Sequence, residues 1–499
     1  MFGTLLIRAD GGSQTGTGHV MRCLALAQAW RRTEDQVLFA QMESTPALRR
    51  RLEAEGCEVA CGEAVPGSPA DARQTLALAA ARQAAWIVGD GYPLGETWQQ
   101  QIKDAGGRLL VLDDYGHAGR YVADLVLNQN LYATAECYAR RETYTRLLLG
   151  TRYALLRREF QKYAGWQRQI PPIARKVLVT LGGSDPDNAT GKVIEALRHR
   201  PDLEATIVVG GSNPNLEQLK SAVAGAAKVR LVVDATDMPE LMAWADVAVA
   251  AAGSTSWELA FMGLPVVSLV LADNQAPVAA ALAREGVGLS LGDYRGCSVE
   301  AIAQTLGRLV IEAGEREAMS RRARRLVTGD GAALVVTRLR AALLKLRRAE
   351  AQDCRLLWEW ANDPQVRASS FSPATIPWED HVRWFEGKLR SDRCAIFIGA
   401  PATGGPVGQV RLDWDQSGQA EIDVSTAGGC RSAGFGAPLI RRAADEAFAT
   451  LPIQAVHAFI KLDNAPSLRA FAKAGFARQA NATRGGLEVA HFTLEKAHE

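Results

Sequence analysis

The sequence predicts an α/β chain of two Rossmann-like halves followed by a smaller α+β segment. Three observations carry this. Short apolar runs alternate with helical patterns through the first part of the chain, and the runs end in turns rich in Gly, Asp, Asn or Ser. A strongly basic stretch read as one helix, Arg321 to Arg348, closes the alternation. After Arg347 the composition changes, with tryptophans at 358, 360, 378 and 384. The chain of 499 residues is too long for one core. The expected domains are residues 1–163, 164–345 and 346–499.

Composition narrows the function classes. A hydrophobic fraction of 47% and a charged fraction of 22% are ordinary for a soluble globular protein. A formal charge of +2 argues against nucleic acid as a partner. The eight cysteines are scattered, and no His or Cys cluster completes a zinc site around the closest pair, Cys57 and Cys61. Free thiols and no metal are therefore expected. No basic segment followed by an apolar core opens the chain, and no apolar run is long enough to span a bilayer. The expectation is a cytoplasmic protein without a membrane partner. Asn188-Ala-Thr190 and Asn481-Ala-Thr483 fit a glycosylation pattern that such a chain would never use.

The first half carries LIRADGGSQTGTGHVMRCLALA, Leu6 to Ala27, preceded by the apolar Leu5. It reads as a buried strand, a glycine-rich loop and an amphipathic helix, with His19 where the helix begins. Loops after strands in open α/β sheets face the ligand crevice, and a helix N-terminus suits an anion or an oxygen-rich sugar. The spacing Gly16-x-Gly18-His19-x-x-Arg22 lacks the third Gly of a dinucleotide fingerprint and the Lys-Ser/Thr of a Walker loop. The plain alternative is a turn with an internally satisfied histidine. Gln36 to Ala40 is a strand candidate and Thr45 to Glu55 a helix. Trp86 to Gly89 ends in Asp90-Gly91-Tyr92, Arg108 to Leu112 in Asp113-Asp114-Tyr115, and Asp124 to Leu127 in Asn128-Gln129-Asn130. Such ends gather on one edge of a parallel sheet, or simply cap the following helices.

The second half repeats the scheme. Lys176 to Leu181 is a strand, Gly182-Gly183-Ser184-Asp185-Pro186 a loop, and Asn188 to Arg198 a helix. Ala205 to Val209 follows, closed by Gly210-Gly211-Ser212-Asn213-Pro214, then the strand Val229 to Val233 and the helix Met238 to Trp244. Asp246 to Ala251 leads to Gly253-Ser254-Thr255-Ser256-Trp257-Glu258, and Val266 to Leu271 to Asp273-Asn274-Gln275. Thr255-x-x-Glu258 fits a capping box. It also fits a diphosphate loop, with Gly253 giving access, Ser254 and Thr255 donating, and Glu258 accepting from ribose hydroxyls.

Four segments then become specific: ADGGSQTGTGHVMRCLALA, LGGSDPDNAT, AAGSTSWELAFMGLP and ADNQ. In this order, over roughly residues 1–340, they resemble the UDP-sugar hydrolases of bacterial pseudaminic acid biosynthesis. That resemblance implies a GT-B fold like the lipid-linked peptidoglycan glucosaminyltransferase, with water in place of the sugar acceptor. It implies His19 as the catalytic residue, and Gly253, Ser254, Thr255, Glu258, Asn274 and Gln275 as substrate-binding. Gly16, Gly18, Arg22, Asp90, Tyr92, Gly183 and Ser184 complete the expected substrate-binding set. Gly11-Gly12-Ser13 departs from the Ala-Ser more usual there.

In the last segment, Val407 to Trp414 and Gln419 to Ser425 read as adjacent antiparallel strands, and Val456 to Ile460 as another. Between them, Arg431-Ser432-Ala433-Gly434-Phe435-Gly436 leads into a helix, a phosphate cradle by its spacing. With Asn464-x-x-Ser467-x-x-x-Phe471 downstream, the segment resembles the GNAT N-acetyltransferases, and its opening helices resemble the sugar-nucleotide acetyltransferase of the same pathway. This implies acetyl-CoA as co-substrate, held by Arg431 to Gly436, Asn464, Ser467 and Phe471. Many GNAT enzymes carry a general-acid Tyr where Phe471 stands. Glu421 and Asp423 are candidate bases.

The implied function is bifunctional. The last domain acetylates the 4-amine of a UDP-linked amino sugar. The first two hydrolyse UDP-2,4-diacetamido-2,4,6-trideoxy-β-L-altropyranose, with His19 activating water. The alternatives are a glycosyltransferase using the same lobes and a non-catalytic UDP-sugar-binding protein.

Overall fold

The computed structural model describes residues 2–12, 16–31, 35–211, 213–226, 228–402 and 404–496. Ser13 and Ser212 lie outside these. The chain divides into two compact units, Gly3–Ala332 and Ala333–Glu499 with Met1–Phe2.

The first unit holds two parallel sheets. The strands of one are β1 (Thr4–Ala9), β2 (Val37–Gln41), β3 (Glu58–Cys61), β4 (Ala84–Asp90), β5 (Leu109–Leu112), β6 (Leu125–Asn128) and β7 (Arg146–Leu149). Their order is β3-β2-β1-β4-β5-β6-β7. The strands of the other are β8 (Lys176–Thr180), β9 (Glu204–Val209), β10 (Val229–Val233), β11 (Val247–Ala251), β12 (Val266–Val270) and β13 (Gly288–Asp293), ordered β10-β9-β8-β11-β12-β13. In both sheets the order of strand addition reverses once, at β1/β4 and at β8/β11. There the loops leaving neighbouring strands turn to opposite faces and open a crevice at the carboxyl ends.

Alternation sets the cores. In the second sheet Val177, Val179, Val247 and Val249 pack on one face, and Leu178, Ala248 and Ala250 on the other. Burial on both faces is why these strands read as continuous apolar runs. The sequence signal missed Glu58–Cys61, a half-exposed strand without an apolar run, and Arg146–Leu149, whose first residue is exposed.

The second unit is a mixed sheet of β14 (Leu344–Arg348), β15 (Cys394–Pro401), β16 (Gly408–Trp414), β17 (Gln419–Thr426), β18 (Ala455–Lys461), β19 (Ala477–Arg478), β20 (Ala482–Arg484) and β21 (Leu487–Glu495). Its order is β14-β15-β16-β17-β18-β21-β19, with β20 on β21. β16 and β17 are antiparallel neighbours, as the sequence predicts. β17 and β18 are parallel.

The basic stretch is a correction. Instead of one helix over Arg321 to Arg348, a helix Ala313–Leu326 ends, a second runs Gly331–Ala341, and β14 follows. Val327 leaves the first in extended backbone, and Gly329 at φ 89° turns the chain before the second. Leu344 is buried while its neighbour Lys345 is exposed, which is strand patterning. The expected 345/346 boundary thus falls inside β14, and the units divide at 332/333. The eight cysteines are free. Among the described residues no helix is long and apolar enough to cross a membrane.

Candidate functional site

The switch point of the first sheet carries the densest polar network among the predicted site residues. The helix Gly18–Trp30 starts beside it, so His19 and Arg22, one turn apart, share a face. Both reach Asp90 at the end of β4. His19 Nδ1 lies 2.6 Å from Asp90 Oδ1, and Arg22 donates from Nε to Oδ2 at 2.7 Å and from Nη2 to Oδ1 at 2.6 Å. Asp90 is fully buried and His19 keeps 19% exposure. Burial pushes the Asp90 carboxyl up, but Arg22 and His19 outweigh it and hold it well below the usual carboxylate range. An ionised carboxylate only accepts, so Nδ1 carries the proton and Nε2 is the ring's proton acceptor.

Arg22 also donates to Asp114 Oδ1 at 2.6 Å. Tyr92 donates to Asp114 Oδ2 at 3.0 Å and receives Asn274 Nδ2 at 2.6 Å. Burial and Asp114 push the Tyr92 phenol well up, so it stays a protonated donor. The Tyr92 ring meets His19 edge-on, with 5.2 Å between centroids.

The second switch point supplies the opposing loops. A Cβ on Gly18 would stand 3.5 Å from Ser254 Oγ, and one on Gly183 3.4 Å from Thr17 Oγ1. Gly16, at φ 70°, holds a left-handed turn that a side chain would strain, and a Cβ there would stand 3.8 Å from Ser184 Oγ. Thus Gly16, Gly18, His19, Arg22, Asp90, Tyr92, Gly183, Ser184, Ser254 and Asn274 come together. Gln275 closes its own loop, accepting from Leu271 N at 2.9 Å, with its amide nitrogen toward Gly253.

Glu258 differs from both sequence readings in part. Ser254 is the N-cap of the helix Thr255–Phe261 and no side chain caps it, so Thr255 and Glu258 form no capping box. Arg157 instead donates to Glu258 Oε1 at 2.9 Å and 3.2 Å. Sequence gave no sign of this pairing across 101 positions. Asp114 and Asn130 were missed similarly. They stood among the polar strand ends, but only the fold puts Asn130 Nδ2 3.3 Å from Asp114 Oδ1. Asp113 behaves as a cap, accepting from Tyr115 N and Gly116 N.

In the second unit, Arg431 to Phe435 precede the helix Gly436–Thr450, with Ser432 at φ 61° and Gly434 at φ 83°. Arg431 is tied to Asp363 at 2.7 Å and Gln365 at 2.9 Å. Ala433 is exposed, whereas Phe435 is buried and offers only its backbone. Asn464 caps the helix Ala465–Lys473 by accepting from Ser467 N at 3.2 Å. Phe471 is buried against Phe476 and Phe492, as suits a phenyl ring without a polar atom.

β17 and β18 pair only over Gln419–Glu421 and Ala455–His457. Beyond that the parallel strands part into a wedge, which leaves inner-edge N–H and C=O groups in want of partners. Its open end faces the Arg431–Gly436 loop, which follows β17. Among the described residues no group of three or more His, Cys, Asp or Glu is placed to hold a metal.

Residues 177–334 match the glycosyltransferase family 28 C-terminal domain, and residues 344–477 the acetyltransferase (GNAT) domain. An uncharacterised protein of Methanocaldococcus jannaschii is 26% identical over 273 residues, 53% of this chain. The match spans about half of that relative's length, 55%. The spore coat polysaccharide biosynthesis protein SpsG of Bacillus subtilis is 24% identical over 65% of this chain and 94% of its own. The UDP-2,4-diacetamido-2,4,6-trideoxy-beta-L-altropyranose hydrolase of Campylobacter jejuni is 25% identical over 56% of this chain and 97% of its own. Among solved structures, Acinetobacter baumannii MurG aligns with a TM-score of 0.48 and 18% identity, over 68% of this chain and 99% of that one. The chain is a fusion of a GT-B-like module, ending in a glycosyltransferase family 28 C-terminal domain, with a GNAT acetyltransferase domain.

Proposed function

We propose that the chain catalyses two consecutive steps on a UDP-linked amino sugar. The acetyltransferase unit transfers acetyl from acetyl-CoA to the sugar's 4-amine. The Gly3–Ala332 unit then hydrolyses the product, UDP-2,4-diacetamido-2,4,6-trideoxy-β-L-altropyranose, to UDP and free sugar. The observation that carries the hydrolytic reading is the His19–Asp90 pair, 2.6 Å apart, beside the Ser254 and Asn274 loops. The similarity to the Campylobacter hydrolase, 25% over nearly that protein's full length, supports the substrate.

In this reading the Gly253–Thr255 loop and its N–H groups take the diphosphate, and Glu258 meets the ribose through the oxygen Arg157 leaves open. His19 Nε2 removes a proton from water as it attacks the anomeric carbon, and UDP leaves with the bond's electron pair. Asp90 holds the imidazole's tautomer and stabilises the imidazolium that forms. Arg22 bonds both Asp90 and Asp114, so one guanidinium offsets one of the two carboxylate charges and orients both groups.

For acetyl transfer, the Arg431–Gly436 loop holds the CoA pyrophosphate with its N–H groups and helix end. The two pantetheine amides pair with the open edges of β17 and β18. The amine attacks the thioester, the C–N bond forms, and the C–S bond breaks to give CoA thiol.

The family 28 match favours a second reading, transfer of the sugar to an acceptor other than water. Incubation with the UDP-sugar alone separates the two. Free reducing sugar and UDP without added acceptor establish hydrolysis, and no turnover until an acceptor is supplied establishes transfer.

A further inference from the structure

Acetyl transfer needs a group that takes a proton, because an ammonium is not a nucleophile. The two carboxylates expected for this are engaged. Arg484 Nη2 donates to Glu421 Oε2 at 2.8 Å, and Gln409 Nε2 donates to Asp423 Oδ1 at 3.1 Å. One strand further lies a pair of imidazoles. His457 on β18 stands in register with Glu421 on β17, in the last pair before the strands part. Its Nδ1 is 3.0 Å from Nε2 of His491 on β21, and its Nε2 is 2.7 Å from Gln419 Oε1.

The bonding pattern fixes the direction of the relay. An amide oxygen only accepts, so His457 Nε2 carries the proton and donates it to Gln419. His457 Nδ1 is then a lone pair, and His491 Nε2–H donates to it. This leaves Nδ1 of His491 as the basic end of the pair. Thr493 Oγ1 lies 3.3 Å from both facing nitrogens, and Phe459 stacks on the His491 ring at 4.7 Å and 11°. The pair is therefore held, half-buried, in one orientation.

Its position matches the chemistry. The cofactor loop follows β17, at the open end of the wedge. A pantetheine arm entering there runs toward the closed end, where Glu421 and His457 stand. We propose that His457 and His491 together are the proton acceptor of acetyl transfer, with His491 Nδ1 taking the proton of the acceptor's ammonium. The proposal rests on the reading of this unit as an amine acetyltransferase. The freed amine attacks the thioester carbon, the C–S bond breaks, and the thiolate leaves with a proton from the attacking nitrogen. The proton held by the pair passes to solvent.

Burial, then His457 and Arg484, push the His491 imidazole below its ordinary value, which keeps it neutral and able to accept. The other charged groups on this face are Arg411 and Asp413 of β16, Glu421 and Asp423 of β17, Lys461 of β18, Arg484 of β20 and Glu495 of β21.

The test follows thiol release from acetyl-CoA by the full-length protein from about pH 6 to about pH 10. The acceptor is a UDP-linked 4-amino sugar, with glucosamine and spermine as further amines. His491→Gln is expected to lower kcat about 10²-fold near neutrality with the acetyl-CoA KM within about twofold. The loss should shrink as the pH approaches the amine's own pKa, because the amine then needs no base. His457→Gln should move the same way by a smaller factor, with folding checked by circular dichroism. A wild-type pH profile in both variants overturns the proposal. So does a loss equal at every pH, or the pH-dependent loss appearing in Glu421→Gln instead. If only glucosamine or spermine is acetylated, the substrate reading fails and the pair is judged on that amine. If a folded protein that binds acetyl-CoA acetylates no amine, the proposal fails as well.

Discussion

In the Gly3–Ala332 unit the candidate site is a network of charged side chains, whereas in the GNAT-matching unit the candidate cofactor loop is mainly backbone. Around Asp90, four side chains from three elements are bonded before any ligand arrives. In the Arg431–Gly436 loop, Phe435 is buried and Arg431 is held by Asp363, so the N–H groups remain to meet a phosphate. The first site therefore depends on particular partners and the second on backbone shape. Substitutions should discriminate between them: isosteric exchanges matter at the first, and bulk or backbone strain at the second.

The largest effect is expected from His19→Ala, which should cut sugar release at least about 10²-fold and leave UDP binding nearly intact. Steady-state rates with calorimetric UDP binding check this. Near-normal turnover would remove His19 from catalysis.

Gly434→Glu should abolish acetyl-CoA binding, since it adds bulk and charge at a left-handed position. It should spare hydrolysis of a pre-acetylated substrate. Isothermal titration with acetyl-CoA and the hydrolysis assay read the two halves separately.

Asp90→Asn removes the buried charge that pairs with Arg22 and accepts from His19, and breaking such a pair costs about 3 kcal/mol. The Asp90 pKa is lowered by folding, so its stabilisation is complete above the unfolded carboxylate value and is lost as the pH falls through the folded one. The gap between wild type and variant in denaturant melts should be flat from about pH 5 to about pH 8, and should narrow only below about pH 4. A gap that stays constant below about pH 4 would contradict an ionised, paired Asp90. Asp114→Asn, at a partly exposed rim of the same network, should give the smallest change, about 1 kcal/mol.

The same contrast explains what was legible in the sequence. Backbone-built features were readable because their signals are local. Gly434 before a helix and the apolar runs of Lys176–Thr180 and Val266–Val270 lie within a few residues of what they specify. His19 was readable because glycines precede it in one loop. Its partners were not readable as partners, since Asp90 and Asp114 lie 71 and 95 positions away and meet only through strand order. The spacing of Thr255 to Glu258 offers a local cap beside the ribose reading, and the distant Arg157 rules out only the cap. Phe471 is legible by its motif position, while its burial against Phe492 comes from a strand distant in sequence.

The central claim is that the two units act in sequence, acetylation preceding hydrolysis. A site built to hydrogen-bond an amide leaves polar groups unpaired when the amide is missing, a loss of about 10²-fold or more. The most direct measurement is UDP release from the UDP-linked 4-amino sugar by the full-length protein, with and without acetyl-CoA. The account predicts slow release alone, release rising about 10²-fold once acetyl-CoA is added, and no such rise in Gly434→Glu. Equal release with and without acetyl-CoA would contradict it.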